Sequence, residues 1–165
     1  MKATFKKIAI CMLIFAVTFS TSNISVQAAS KKSYTANDLK YLTSIVYCEA
    51  GNQSYKGKLA VANVVLNRVS SKKFPNTIKA VIQQKGQFSP YRSGSLAKAL
   101  KIYDGGKASS AVKKQMSACK KAAKDALNGK RAIGKSYLFF SGYRSKSATK
   151  KKYSNAIFIG AHYFR

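Results

Sequence analysis

Acidic residues are nearly missing from this chain. Its 165 residues include four, Asp38, Glu49, Asp104 and Asp125, against 31 Lys and Arg, for a formal charge of +27. Tryptophan is absent, and there are two prolines, one histidine (His162) and three cysteines (Cys11, Cys48 and Cys119). A zinc site dense in Cys and His lacks ligands, an EF-hand lacks carboxylates, and no glycine-rich phosphate loop occurs. Neither a metal nor a cofactor is expected, and chemistry that needs a carboxylate must use one of four residues. What is present suffices for a core: 46% of the residues are hydrophobic and 12% aromatic, which argues against disorder. The length allows one domain, or one domain plus a short segment.

That short segment stands at the N-terminus. Lys2, Lys6 and Lys7 precede an apolar run from Ile8 to Phe19, too short to span a bilayer comfortably. Val26-Gln27-Ala28-Ala29 follows, with small residues where a signal peptidase reads. A basic start, apolar centre and small-residue exit describe a secretory signal peptide over residues 1–28, with cleavage expected after Ala28. Removal takes away Cys11 and leaves Cys48 and Cys119, either as a disulfide or as two thiols. An exported chain this basic is drawn to polyanions by salt-sensitive attraction, and Lys150-Lys151-Lys152 is its densest block of charge.

Residues 29–35 read as a flexible lead-in. Thr35 then offers a helix-capping hydroxyl with Asp38 three residues on. Leu39, Leu42, Ile45 and Val46 follow at helical spacing, with Glu49 on the same stripe and Gly51 as the stop. A second helix is expected over 57–70. It is apolar over much of its circumference and so central. A short third helix covers 77–84 and a loop 85–91; a fourth helix starts near Ser95, and a basic one runs over 109–127. Tyr137–Phe140 and Ala156–Ile159 read as two short strands separated by a Ser/Lys-rich loop. The class is α+β, mostly helical, with a small C-terminal β element.

Glu49 is the one glutamate in the protein, and it lies at a helix end on an apolar face. It is either a structural group paired with a nearby base or a general acid, kept neutral by burial and by the carbonyls of the helix C-terminus. The residues alone leave both open.

Their order adds to this. The stretch from Tyr47-Cys48-Glu49-Ala50-Gly51-Asn52 to Asn67-Arg68-Val69 resembles the spore cortex-lytic cell-wall hydrolase family. Phe74–Ile78, Gly86-Gln87-Phe88-Ser89-Pro90, Ala122–Gly129, Tyr137–Phe140 and Ile159–Phe164 match in family order, so the resemblance spans residues 36–165. It implies a catalytic domain with a lysozyme-like, lytic-transglycosylase-like fold. It also implies cleavage of the bond between N-acetylmuramic acid and N-acetylglucosamine in peptidoglycan glycan strands, in a secreted protein associated with cell wall or spore cortex. The family's catalytic glutamate falls on Glu49. Many relatives carry further acids where this chain has Gln53 and Lys56.

Glycosidases ordinarily use two carboxylates flanking the bond. Asp38 lies about three helical turns from Glu49, roughly 16 Å along the axis. A lytic transglycosylase needs one acid, because the muramic acid's own C6 hydroxyl is the nucleophile. Gln87, Phe88 and Ser89 are the expected substrate-binding loop, and Tyr137 and Phe139 the expected cleft-facing pair of their strand. The partners expected are glycan strands and, through net charge, anionic wall polymers, with no specific nucleic acid, for a monomer. Two other readings stand beside this one: a Cys/His wall-peptide amidase using Cys48 and His162, and a non-catalytic cationic protein that binds wall or nucleic acid.

Overall fold

The computed structural model describes residues 33–165; the signal peptide expected over residues 1–28, most of the expected lead-in and Cys11 lie outside the described residues. Helix α1 (Ala36–Ala50) starts at a capping box. The Thr35 hydroxyl accepts from the Asp38 N–H, and the Asp38 carboxylate accepts from the Thr35 N–H, both at 3.0 Å. Its Leu42, Ile45 and Val46 are wholly buried. Gly51 ends α1 in ordinary right-handed conformation, not by the left-handed turn expected of a stop. The reason for glycine is space, since a Cβ there would lie 2.6 Å from the Tyr47 carbonyl oxygen.

Helix α2 (Tyr55–Val69), capped by Ser54, is the central helix, buried almost throughout from Gly57 to Arg68. The short α3 (Ile78–Gln83) follows. A single turn, α4 (Ser89–Arg92), occupies part of the expected loop, with Pro90 in its first turn, where no N–H is needed. Helices α5 (Ser95–Tyr103) and α6 (Ser110–Leu127) complete the helical layer. α1 packs on α2, α5 and α6, and α2 on α6, so the first two helices form the core around which the rest is built.

The C-terminal part departs from expectation in three ways. Strand β1 spans Phe140–Gly142 and does not begin at Tyr137, because the carbonyls of Tyr137 and Leu138 are taken by Asn67 and Arg68 of α2. The Ser/Lys-rich loop contains a helix, α7 (Lys146–Lys152), which Ser145 caps by accepting from the Ala148 N–H. It buries none of its residues, so it has no apolar stripe to betray it. A third strand is present: β2 (Ile157–Ile159) and β3 (His162–Phe164) form a hairpin around Gly160 and Ala161. The antiparallel order is β1-β3-β2.

Three polar side chains of α2 hold residues 130–138 against the core. Asn63 donates to the Lys130 carbonyl (3.0 Å) and accepts from the Ala132 N–H (2.7 Å). One turn on, Asn67 donates to the carbonyls of Gly134 (2.9 Å) and Tyr137 (2.8 Å) and accepts from Arg131. Arg68 Nε donates to the Leu138 carbonyl at 2.8 Å. Buried amides in a helix thus supply the partners that an irregular segment cannot find in itself.

Candidate active site

The site is built where the end of α1, the end of α2 and the inner face of the sheet meet. Glu49 sits in the last turn of α1, half-buried, and its carboxyl group makes no hydrogen bond or ion pair among the described residues. Burial raises its carboxyl pKa, and the charge of Arg68 opposes that rise without cancelling it. No basic residue lies in the last turn of α1, so the exposed helix carbonyls also disfavour the anion. The neutral acid is therefore favoured over a wider pH range than in an exposed glutamate.

The other three acids are committed elsewhere. Asp38 is in the capping box, Asp104 meets Lys40 at 2.5 Å, and Asp125 accepts from the Tyr55 hydroxyl (2.6 Å) and from Lys121 (3.0 Å). Glu49 has no second carboxylate beside it.

Arg68 was not singled out from the sequence, yet it is the group that faces Glu49 electrostatically. It is 3% exposed, with its guanidinium carbon 5.0 Å from the Phe88 ring centre, 5.1 Å from Phe74 and 5.4 Å from Phe139. Burial lowers its pKa to about 10, with Glu49 pulling the other way, so it stays charged at neutral pH. Its Nη1 is buried without a hydrogen-bond partner. An aromatic cage, one backbone carbonyl and a nearby carboxyl group hold this cation without locking it into an ion pair. The signal available in the sequence was a basic residue at the end of an apolar helix, beside Asn63 and Asn67 at helical spacing.

Gln53, where many relatives carry an acid, has a structural task. Its Oε1 accepts from the Ala161 N–H at 3.1 Å, and its carbonyl accepts from Lys58, so the segment after Glu49 is tied to the β2–β3 turn. Lys56 is exposed.

The expected binding loop divides. Phe88 is 4% exposed and packs between Arg68 and Phe140, whose ring lies 6.3 Å away. Ser89 is exposed and lies on two grooves. One, of about 570 Å³, is lined by Tyr47, Cys48, Asn52 and Lys98 among others. The second, of about 540 Å³, runs along Gln84, Gly86, Tyr91 and Arg92. Gln87 is half-buried between Gly86 and Phe88. Tyr137 packs on the core and donates its hydroxyl to the Asn155 carbonyl. Phe139 packs edge-on to Phe74 at 6.0 Å, between Arg68 and Arg165. The ring of this strand that reaches the inner cluster with Phe88, His162 and Phe164 is Phe140.

Cys48 and Cys119 are free thiols, both pushed up to about 11, chiefly by burial. The charges acting on Cys48 are those of Glu49 and Cys119, not His162. Burial lowers the His162 pKa, and its Nδ1 is buried without a partner beside Phe140. This is not an activated Cys/His pair. Among the described residues, no three His, Cys, Asp or Glu side chains gather where they could hold a metal ion.

This helical layer with its small sheet is the part of the molecule that comparison with known proteins places. The model of the cell wall hydrolase family matches residues 52–165, and the chain belongs to that family. It is similar to the catalytic domain of the germination-specific lytic transglycosylase SleB from Bacillus anthracis, with a TM-score of 0.60 and 30% identity over 81% of this chain and 97% of that one. The SleB catalytic domain of Bacillus cereus gives 0.58 and 29% identity, covering 81% and 92%. The spore cortex-lytic enzyme of Bacillus cereus is 40% identical over 63 residues, and that of Bacillus subtilis 35% over 72. These alignments take in 38% and 44% of this chain, but only 24% of either relative. The chain thus covers about a quarter of the length of the curated relatives it matches.

Proposed function

We propose that this protein cleaves peptidoglycan glycan strands between N-acetylmuramic acid and N-acetylglucosamine as a lytic transglycosylase, with Glu49 as its one general acid and base. The observation that carries the reading is the state of Glu49: the only glutamate of the chain, half-buried with its neutral form favoured, next to a caged cation and with every other acid engaged elsewhere. The neutral carboxyl gives its proton to the glycosidic oxygen as the C1–O bond breaks, and positive charge develops on the muramic ring. The carboxylate left behind then takes the proton of the muramic C6 hydroxyl as that oxygen closes on C1. An anhydro ring forms and Glu49 is neutral again. Arg68, held off by the aromatic cage, stabilises the carboxylate between the two steps without depriving the resting acid of its proton. Ser89, exposed on the grooves beside Cys48 and Gly86, and Gln87, two residues before it in the same loop, are read as contacts for the sugars.

The same reading makes the protein exported, by a signal peptide over residues 1–28, and associated with wall or cortex. It acts as a monomer, and its net charge draws it to anionic wall polymers. The test is a digest of purified peptidoglycan by residues 29–165, read by mass spectrometry, with Glu49→Gln alongside. Anhydromuramic ends that vanish in the variant are expected. Reducing ends alone mean hydrolysis, and released peptides mean an amidase; either result refutes this mechanism.

A further inference from the structure

The sheet has a second face that the Glu49 site does not use. Partners across an antiparallel ladder share a face, so Tyr163, paired with Ser141 and Phe158, points away from the inner row of Phe140, Phe164 and Ile157. On this outer side the rings form a chain. Tyr143 lies 4.9 Å from Phe158, Phe158 lies 6.5 Å from Tyr163, and Tyr163 stacks on Tyr153 at 5.7 Å. All four are partly exposed, and none belongs to the hydrophobic core or its packed margin.

Cations lie over three of these rings. Lys146 Nζ lies 5.9 Å from Tyr143 and 5.8 Å from Phe158, Lys152 Nζ lies 5.5 Å from Tyr153, and the Arg165 guanidinium lies 4.4 Å from the same ring. Lys150 and Lys151 extend the charge along α7. No Asp or Glu occurs after Asp125. The two ion pairs among the described residues both lie elsewhere, at Lys40–Asp104 and Lys121–Asp125. The face carries cations that nothing in the fold neutralises, on a helix that buries nothing and so contributes little to the core.

We propose that this outer face, with α7, is a docking surface for a phosphate-bearing cell-wall polymer, separate from the Glu49 site. The choice of polymer rests on the wall-glycan reading above; the surface itself does not. Charge complementarity selects a chain of repeated anions. The ring faces argue against a nucleic acid, because Lys and Arg already lie over Tyr143, Phe158 and Tyr153, Tyr163 stacks on Tyr153, and bases need free faces for stacking. Attraction of this kind is long-range and fades with salt. It would hold the protein on the wall while the Glu49 site works on a neighbouring strand.

The experiment uses the chain in a Glu49→Gln background, so that bound wall is not degraded. Co-sedimentation is measured with sacculi that retain their phosphate polymer and with the same sacculi stripped of it. Stripping is expected to weaken binding by about tenfold or more at physiological salt, and so is replacing Lys146, Lys150, Lys151 and Lys152 together by Gln. Arg165→Gln gives a smaller loss, and it serves as a second variant should the fourfold one show a lowered Tm. A control with Lys113, Lys114 and Lys120 of α6 changed to Gln, which lowers the overall charge but leaves the face intact, is expected to lose much less. Equal losses in that control, equal binding to stripped sacculi, or displacement of the polymer by single-stranded DNA at matched phosphate would each overturn the proposal. With Glu49 intact, the α7 variant is expected to cleave short soluble glycans at the parental rate. Loss there would make the face part of the Glu49 site and refute its separateness. If the parent fails to cleave glycan at all but the binding pattern holds, the mechanism of Glu49 is refuted and the surface stands.

Discussion

Replacing Asn67 by alanine tests whether α2 side chains, not backbone pairing, hold the segment between α6 and the sheet. Asn67 is 4% exposed, donates to the carbonyls of Gly134 and Tyr137, and accepts from Arg131. Alanine removes all three bonds. A buried polar group left without a partner costs about 1–3 kcal/mol. Gly134 and Arg131 are exposed enough for water to replace part of their loss, whereas the Tyr137 carbonyl is less accessible. The expected total is about 2–4 kcal/mol, a large share of the ~5–15 kcal/mol that holds an ordinary domain together. For a domain of this size that is a Tm lower by roughly 10 °C. Urea melts are expected to show a lower midpoint with little change in slope. Amide exchange should accelerate first over residues 134–140, ahead of the helices. Glycan cleavage should fall as well, because this segment carries the Leu138 carbonyl that orients Arg68 and the Phe140 ring that meets Phe88. Asn67→Asp is expected to be worse than alanine, since it aims an oxygen at two carbonyl oxygens without changing shape. A loss below about 1 kcal/mol, or unaltered exchange over 134–140, would refute the reasoning.

Other outcomes follow from the same geometry. Glu49→Gln is expected to lower cleavage by about 10²–10⁴-fold or more while raising Tm near neutral pH. Because burial holds the folded-state pKa above the unfolded one, ionisation costs stability as pH rises past the unfolded value, and Gln has no such cost. A Tm that falls instead would mean that the Arg68 charge dominates. Arg68→Met, which keeps the packing of the aromatic cage, should move the alkaline decline of kcat to higher pH, and Arg68→Lys should move it less; an unmoved profile would remove Arg68 from the mechanism. Cys48→Ser should retain cleavage, and Cys48 should alkylate slowly at pH 8, where a thiol pushed up to about 11 is about one part in a thousand thiolate. His162→Phe should flatten the fall in stability below about pH 6.5, because a histidine whose folded pKa is depressed binds its proton first in the unfolded chain.

Much of the helical layer was legible because its information is local. Apolar spacing marked α1 and α2, start and turn residues marked α5 and α6, and Thr35 with Asp38 marked the start of α1, since capping, turns and periodicity act within a turn or two. The rest depended on partners far away in sequence. Strand β3 carries His162, Tyr163 and Phe164, too few residues to show alternation, and exists because β1 and β2 flank it. Tyr137 and Leu138 look like strand residues, but their carbonyls are claimed by α2. α7 has no buried face, so a reading based on apolar stripes passes over it.

The candidate site divides along the same line. Composition narrowed the available carboxyl groups to four, and their places in the chain set Glu49 apart from three aspartates in a helix start, a turn and a basic helix. Its proton affinity, its counter-charge and the role of Gln53 were decided only by the tertiary structure. A carboxyl pKa depends on how much water the fold removes from it and on which charges the fold brings near. Here that charge is Arg68, carried to the end of α1 by the next helix and aimed by a carbonyl some seventy residues further along the chain.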